Sequence, residues 1–310
     1  MTGVVARVDL RGVVVLSDDG KLELFPVRKR LMDPGARLGN AIVVGDFVTI
    51  EDGSVSAIAP RKNTFQRAAA GAAASGRLQV TAANLDRVLA VVALKDPPLS
   101  EGLVDRFSVT CEFLGLPMWL AFTKADLATP EEIEAARALF VRAGYPTYVL
   151  ATKAGSGVDS LRAALQGSRT LLVGHSGVGK STLLNALVPG LTLKIGEVNE
   201  RTGKGRHTTT AATLFRLDDG TELIDTPGVR AFGLPRVAPS DLARLFPECR
   251  TSGPCRFSDC AHKDEPDCAV RAALAPLRYA AYLRLREELE GAAPPRDAVR
   301  HGTRSKGTRR

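Results

Sequence analysis

Apolar and polar residues alternate with a period of two through the first sixty positions, and then the rhythm changes. Residues 4–8 and 12–16 read as short strands, and Asp18-Asp19-Gly20 predicts a tight turn into a third strand over 21–25. The same pattern recurs at 41–44, 46–50 and 54–58, the last two joined by Glu51-Asp52-Gly53. Short strands this closely spaced predict a small closed β-barrel of the OB type over residues 1–65. The chain then turns rich in Ala and Gly, and residues 66–77 are expected to be a flexible linker.

From residue 78 strands alternate with helices. The apolar run 85–94 reads as a buried strand, 104–114 as a helix and 118–122 as the next strand. Thr129-Pro130-Glu131-Glu132 is a start signal for a helix over 130–144. A strand at 147–150, a helix at 158–165 and a strand at 170–173 follow. Residues 214–217 and 222–224 predict a hairpin around Asp218-Asp219-Gly220. Alternation of this kind predicts a doubly wound α/β domain with mostly parallel strands over 78–234. Residues 235–290 read as a mainly helical third unit, with one helix over 269–290, and 291–310 as a disordered tail.

Chemistry enters where the strand 170–173 meets the next helix. Gly174-His175-Ser176-Gly177-Val178-Gly179-Lys180-Ser181 fits the pattern G-x-x-x-x-G-K-[ST] in the strand–loop–helix setting the motif needs. Glycines let successive N–H groups point inward at phosphate oxygens, and the helix beginning at Ser181 and Thr182 adds its positive dipole end. Lys180 is expected on the β- and γ-phosphates and the Ser181 hydroxyl on Mg²⁺.

The base is indicated by two further stretches, each after a predicted strand. Thr123-Lys124-Ala125-Asp126 places a carboxylate that can accept from guanine N1–H and the 2-amino group together. Ala151-Thr152-Lys153 offers backbone N–H groups to the guanine oxygen. Asp225-Thr226-Pro227-Gly228 ends another strand, with Asp225 suited to the Mg²⁺ shell and the Gly228 N–H to the γ-phosphate. Between the phosphate loop and this motif lies Gly203-Lys204-Gly205-Arg206-His207-Thr208-Thr209-Thr210. It has the polar, Gly-rich character of a switch loop, and Thr208 or Thr209 is expected to complete the metal shell. The base motifs precede the phosphate loop in the chain, the reverse of an ordinary small GTPase, so the domain is expected to be circularly permuted.

Four of the five cysteines crowd between 249 and 268. Cys255-x4-Cys260-x-His262-x5-Cys268 supplies three thiolates and an imidazole, the donor set of a closed tetrahedral structural Zn²⁺ site. Cys249 is a spare candidate, and Cys111, on an apolar helix, is expected in a core.

Taken together, the phosphate loop, Gly205 to Thr210, Asp225 to Val229 and the cysteine cluster resemble the circularly permuted GTPases of the RsgA (YjeQ) family. The resemblance spans nearly the whole chain and implies an OB barrel, a GTPase domain and a zinc domain in that order. It implies GTP/GDP, Mg²⁺ and one structural Zn²⁺ as cofactors, with Cys255, Cys260, His262 and Cys268 as the zinc ligands. It implies GTP hydrolysis on the small ribosomal subunit and its rRNA late in maturation, alongside other assembly factors. Thr123 departs from the general motif, which has Asn there. Val229 stands where many GTPases carry the Gln that orients water, so His207 is expected to take that role, with slow turnover until a partner fixes its loop. Rival readings are a GTP-holding RNA scaffold with little hydrolysis, and a permuted GTPase of the large subunit.

The net charge of +8 fits a polyanionic partner. About five of those charges fall in the last twenty residues, and Arg28, Lys29, Arg30 and Arg37 form a second basic stretch, expected to contact RNA. No apolar run reaches the ~20 residues of a membrane span, and a cytoplasmic monomer is expected.

Overall fold

The computed structural model describes residues 1–28, 31, 41–68, 78–188, 190–191, 212–226 and 233–292. Its first strand serves two units at once. β1 (Thr2–Asp9) pairs antiparallel with β2 (Gly12–Ser17), and on its other edge Thr2 to Val4 pair with β4 (Phe47–Glu51). β3 (Leu22–Phe25) extends the sheet beyond β2, and β5 (Ser54–Ile58) beyond β4. A parallel bridge between Val27 and Val55 closes the ring. Val5, Val13, Val15, Ile42, Val48, Ile50 and Val55 fill it. Alternation drove this closure, because every second residue needed an apolar side to face.

Residues 41–44 are not the strand their apolar character suggested. The fully buried carboxylate of Asp46 accepts the Val43 N–H at 2.8 Å and is clamped by Arg61 at 2.7 and 2.8 Å, so the segment turns rather than ladders. The linker expectation is also corrected at its start. β6 (Thr64–Ala68) pairs antiparallel with β7 (Leu78–Ala83), burying Phe65, Val80 and Ala82, so residues 66–68 are strand. Alternate apolar positions flank the Ala- and Gly-rich run, and those positions had a core to enter. Residues 69–77 lie outside the described residues, as do Lys29, Arg30 and Arg37 of the basic stretch and 293–310 of the tail. Arg28 is held by Asp52 at 3.1 Å.

The central domain is a sheet of order β10-β9-β8-β11-β13-β12. β8 (Arg87–Ala93), β9 (Met118–Thr123), β10 (Thr147–Val149), β11 (Arg169–Val173) and β13 (Glu222–Asp225) run parallel, and β12 (Thr213–Arg216) is antiparallel to β13. Alternate residues of β8 enter opposite cores. Val88, Ala90 and Val92 pack with α1 (Glu101–Leu114) and α2 (Pro130–Val141). Leu89, Val91 and Ala93 pack with α3 (Val158–Leu165) and α4 (Lys180–Leu187). α2 opens with the expected cap: Thr129 accepts from the Glu132 N–H, and Glu132 accepts from the Thr129 N–H. The chain leaves β8 toward β10 and then returns to β11 on the other side, so the order reverses between β8 and β11. Crevices form at such a point. Thr213 of β12 pairs with Arg7, so barrel and domain share one eleven-stranded sheet.

The third unit packs on α1. It contains 3₁₀ turns Pro239–Leu245 and Pro247–Cys249, then α5 (Ala269–Ala273) and α6 (Pro276–Ala292). The single helix expected over 269–290 is two, because Leu274 is extended and Pro276 cannot donate into a continuing helix. Val109 of α1 joins Leu242, Phe246, Val270, Tyr282 and Leu285 in one core. Through that core runs Arg278, 2% exposed, which donates to Glu248 at 2.7 and 3.1 Å and to Asp105 of α1. Cys111 is fully buried, as expected, and burial pushes its thiol up.

Candidate functional site

The loop after β11 is shaped by its glycines. A Cβ on Gly174 would stand 2.3 Å from the Val91 carbonyl oxygen, and Gly177 and Gly179 take left-handed backbone (φ +82° and +99°). Gly179 then caps α4, so Lys180 and Ser181 fall in the first turn of that helix. Lys180 is buried, and its ammonium donates to the Gly174 carbonyl at 2.8 Å and the His175 carbonyl at 3.0 Å. Burial pulls its pKa down, and the charge of Asp225 counters part of that. His175 lies against the same loop, its Nδ1 2.9 Å from the Ser176 carbonyl, and Val178 is buried beneath it. Thr182 follows half-buried in the helix.

Asp225 ends β13, next to this loop. Burial raises its carboxyl to about 6, against the pull of Lys180 and of the Thr226 N–H. Its Oδ1 is buried with no hydrogen-bond partner, although Thr226 beside it is satisfied by the Leu172 carbonyl at 2.8 Å. An orphaned buried carboxylate oxygen whose charge reaches Lys180 of the phosphate loop is a donor that fits a divalent cation. Asp225 therefore fits Mg²⁺ and would hold it.

The other residues expected at the site follow the ends of β9 and β10. Asp126 is exposed on the 3₁₀ turn Ala125–Leu127, and the Ala125 N–H donates to the Leu150 carbonyl at 3.2 Å, tying this turn to the end of β10. Ala151 to Lys153 follow at once. The Ala151 N–H donates to the Ser156 carbonyl at 3.1 Å, so it is already engaged. Lys124 adopts left-handed backbone and donates to the Asp96 carbonyl, a partner with no sequence signal beyond the turn-forming Asp96-Pro97-Pro98. Thr123 is 1% exposed, and its Oγ1 stands 2.5 Å from the Val178 carbonyl oxygen of the loop. His207, Thr208, Thr209, Thr210, Gly228 and Val229 lie outside the described residues.

The second constellation is in the third unit. Donor atoms of Cys255, Cys260, His262 and Cys268 all lie within 4.8 Å of one another. The Nδ1 of His262 is 3.5 Å from the sulfurs of both Cys255 and Cys268. A tetrahedral ion with bonds of about 2.3 Å to sulfur and 2.05 Å to nitrogen sets that separation at about 3.5 Å. Little regular structure holds the four. Glu265 accepts from the Ala261 and Lys263 N–H groups at 2.7 and 2.8 Å, and the Tyr279 hydroxyl donates to the Lys263 carbonyl and stands 3.0 Å from that of His262. Cys249 is not in the cluster; it packs on the apolar core, and burial pushes its thiol up to about 12.

A family model described as RsgA GTPase matches residues 58–235. Named relatives include "Small ribosomal subunit biogenesis GTPase RsgA" of Bacteroides fragilis, 37% identical over 89% of this chain and 93% of the relative. A protein of the same name from Gemmatimonas aurantiaca is 41% identical over 81% of this chain and 85% of its own. Among solved structures, YjeQ from Thermotoga maritima aligns with a TM-score of 0.73 and 31% identity, covering 94% of this chain and 98% of that one. YloQ, described as a circularly permuted GTPase, aligns at 0.67 and 25%, covering 94% and 96%.

Proposed function

The chain belongs to the RsgA GTPase family, and from that premise we propose that it hydrolyses GTP on the maturing small ribosomal subunit, which stimulates its turnover. The observation that carries this reading is convergence at one sheet edge. The phosphate loop, Asp126, Thr152 and Asp225 stand at the carboxyl ends of four parallel strands, on both sides of the point where the strand order reverses. The subunit is read from the names of the relatives.

Within the site each residue has a distinct task. Loop N–H groups from Gly174 to Ser181, with Lys180, bind and orient the phosphates, and Lys180 exchanges two loop carbonyls for phosphate oxygens. Asp126 accepts from the guanine edge while the N–H groups of Thr152 and Lys153 donate to its oxygen. When bound, Mg²⁺ would supply positive charge that neutralises the phosphates. Ser181 and Asp225 would hold it, joined by Thr208 or Thr209. The Gly228 N–H meets the γ-phosphate. Water is positioned by His207, accepting a hydrogen bond in its neutral form, since Val229 carries no polar group. Cys255, Cys260, His262 and Cys268 hold one structural Zn²⁺. RNA is gripped by the barrel with its basic stretch, by the zinc unit and by the basic tail.

Among the described residues no helix is long and apolar enough to cross a membrane. The deciding measurement is GTP turnover alone, with small subunits and with large subunits. Stimulation by small subunits alone is expected, and His207→Ala removes it. Stimulation by large subunits alone, or bound GTP that is never turned over, overturns the assignment.

A further inference from the structure

Arg169 opens β11, at the opposite end of that strand from the phosphate loop, and is 6% exposed. Its Nε donates to the carboxylate of Glu222, the first residue of β13, at 2.5 Å. One terminal nitrogen donates to the Gly45 carbonyl at 2.8 Å and stands 3.5 Å from that of Asn84. The guanidinium carbon lies 4.8 Å from the centre of the Phe47 ring on β4. The backbone of Arg169 is held as well. Its N–H donates to the Asp86 carboxylate at 2.8 Å, and its carbonyl accepts from the Asp86 N–H at 2.9 Å. One residue thus fastens the foot of β11 to β13, to the turn before β8 and, through Gly45 and Phe47, to the barrel. Only a planar fork with donors on both sides reaches acceptors so spread. The barrel meets it with bare backbone: Gly45 is left-handed (φ +89°), and a Cβ there would lie 2.3 Å from the Ala83 carbonyl oxygen.

We infer that Arg169 is a positioning residue for the stimulated reaction, locking the barrel to the feet of the two strands that end at the nucleotide site. β11 runs from Arg169 into Gly174, and β13 from Glu222 to Asp225. A subunit that holds the barrel then meets the phosphate loop at a fixed distance and angle. Close-packed joints yield little, and a misplacement of about 1 Å can cost about 10²-fold in rate. Hydrolysis without the subunit does not use the joint. The inference rests on the subunit-stimulated reading above and goes beyond it by naming the joint between grip and chemistry.

The test measures GTP turnover by the full chain over a series of small-subunit concentrations, for the unaltered chain, Arg169→Met and Arg169→Lys. Arg169→Met should fold, because its acceptors keep other donors. Glu222 retains two bonds from Arg216, at 2.8 and 2.9 Å, and the Gly45 carbonyl retains the Asn84 amide at 2.9 Å. Should it not fold, Arg169→Lys keeps the charge beside Glu222 and lacks the fork that serves Gly45 as well. In the folded variant, maximal stimulated turnover falls about tenfold. The subunit concentration giving half-stimulation, the GDP affinity and the turnover without subunits stay as they were. Hydrogen exchange rises over residues 41–47 and stays slow in β8. Unchanged maximal turnover overturns the lock. So does a loss confined to the half-stimulating concentration, which reports grip alone, or one shared equally by the subunit-free reaction, which reports general damage. No stimulation of the unaltered chain sinks the subunit reading instead. Exchange over 41–47 then decides the joint by itself, and an unchanged rate there overturns it.

Discussion

The phosphate loop and the cysteine knuckle are both small ligand sites, and they are built by opposite means. The loop is backbone, bent by glycines between a strand and a helix whose apolar faces are already buried in the sheet. Its charged groups have internal partners or none: Lys180 donates to two loop carbonyls, and Asp225 has one buried oxygen unpaired. The knuckle is side chains on irregular chain, drawn together over residues 255–268 with one short helix after them. Its donors face one another, and three thiolates without a cation repel. The loop's shape comes from its own backbone, whereas the knuckle's donor set predicts folding that is linked to binding an ion.

Metal removal is therefore expected to have the largest effect. Structural zinc contributes about 10–16 kcal/mol to domains of this kind. Chelation, or Cys260→Ser, should unfold the third unit and leave the central sheet standing. Hydrogen exchange would show protection lost over 249–292 and kept over β8 and β11. A single cooperative loss of both regions would break the comparison.

Next comes Lys180→Ala. The fold should hold, because the side chain carries no part of the sheet, while turnover falls about 10²–10³-fold through loss of a preorganised donor. Thermal melts paired with phosphate release separate the two effects.

Between the regions stands Arg278. Arg278→Ala leaves Asp105 and Glu248 buried without a counter-charge and should cost about 3–5 kcal/mol at pH 7.5. Burial already raises Asp105 to about 6, since desolvation outweighs the pull of Arg278. Without the pull of Arg278 the carboxyl lies higher still, so the cost should shrink as pH falls toward about 6 and the carboxyl takes up a proton. Denaturant titrations at pH 7.5 and 5.5 would show it.

The smallest effect is expected at Asp225. Its folded-state carboxyl, at about 6, lies above the unfolded value, so ionising it opposes folding. Stability of the nucleotide-free protein should fall as pH rises from about 4 to about 6 and then level off. Asp225→Asn should abolish that slope and stabilise the free protein at pH 7.5, by up to about 3 kcal/mol. The same substitution should remove the Mg²⁺ dependence of nucleotide binding. Melting curves across a pH series, with and without Mg²⁺, measure both.

How much of this was legible in the chain follows from the range of each interaction. Gly174 to Ser181 is local: glycines, a strand before and a helix after decide its shape within ten residues, and periodicity alone located β8 to β13 and the barrel strands to within a few residues. The Cys255 to Cys268 cluster is just as local, so spacing together with the family resemblance pointed to its four members, while Cys249 stayed a spare candidate until folding put it against the apolar core. Reversed motif order was equally plain, because order is a property of sequence. Elements failed where a distant group intervened. Residues 41–44 lost their strand to the carboxylate of Asp46 and the guanidinium of Arg61, and 66–68 left the linker because Phe65 found a core.

What tertiary structure alone decided are contacts between residues far apart in the chain. Thr123 is an ordinary strand-end hydroxyl until Val178, 55 positions on, presents a carbonyl to it. Arg278 is one arginine among many until folding seats it beside Asp105, 173 positions away. Local pattern encodes which face of an element is apolar and where backbone can bend. It does not encode which polar group a buried donor will meet, because that depends on how whole elements pack.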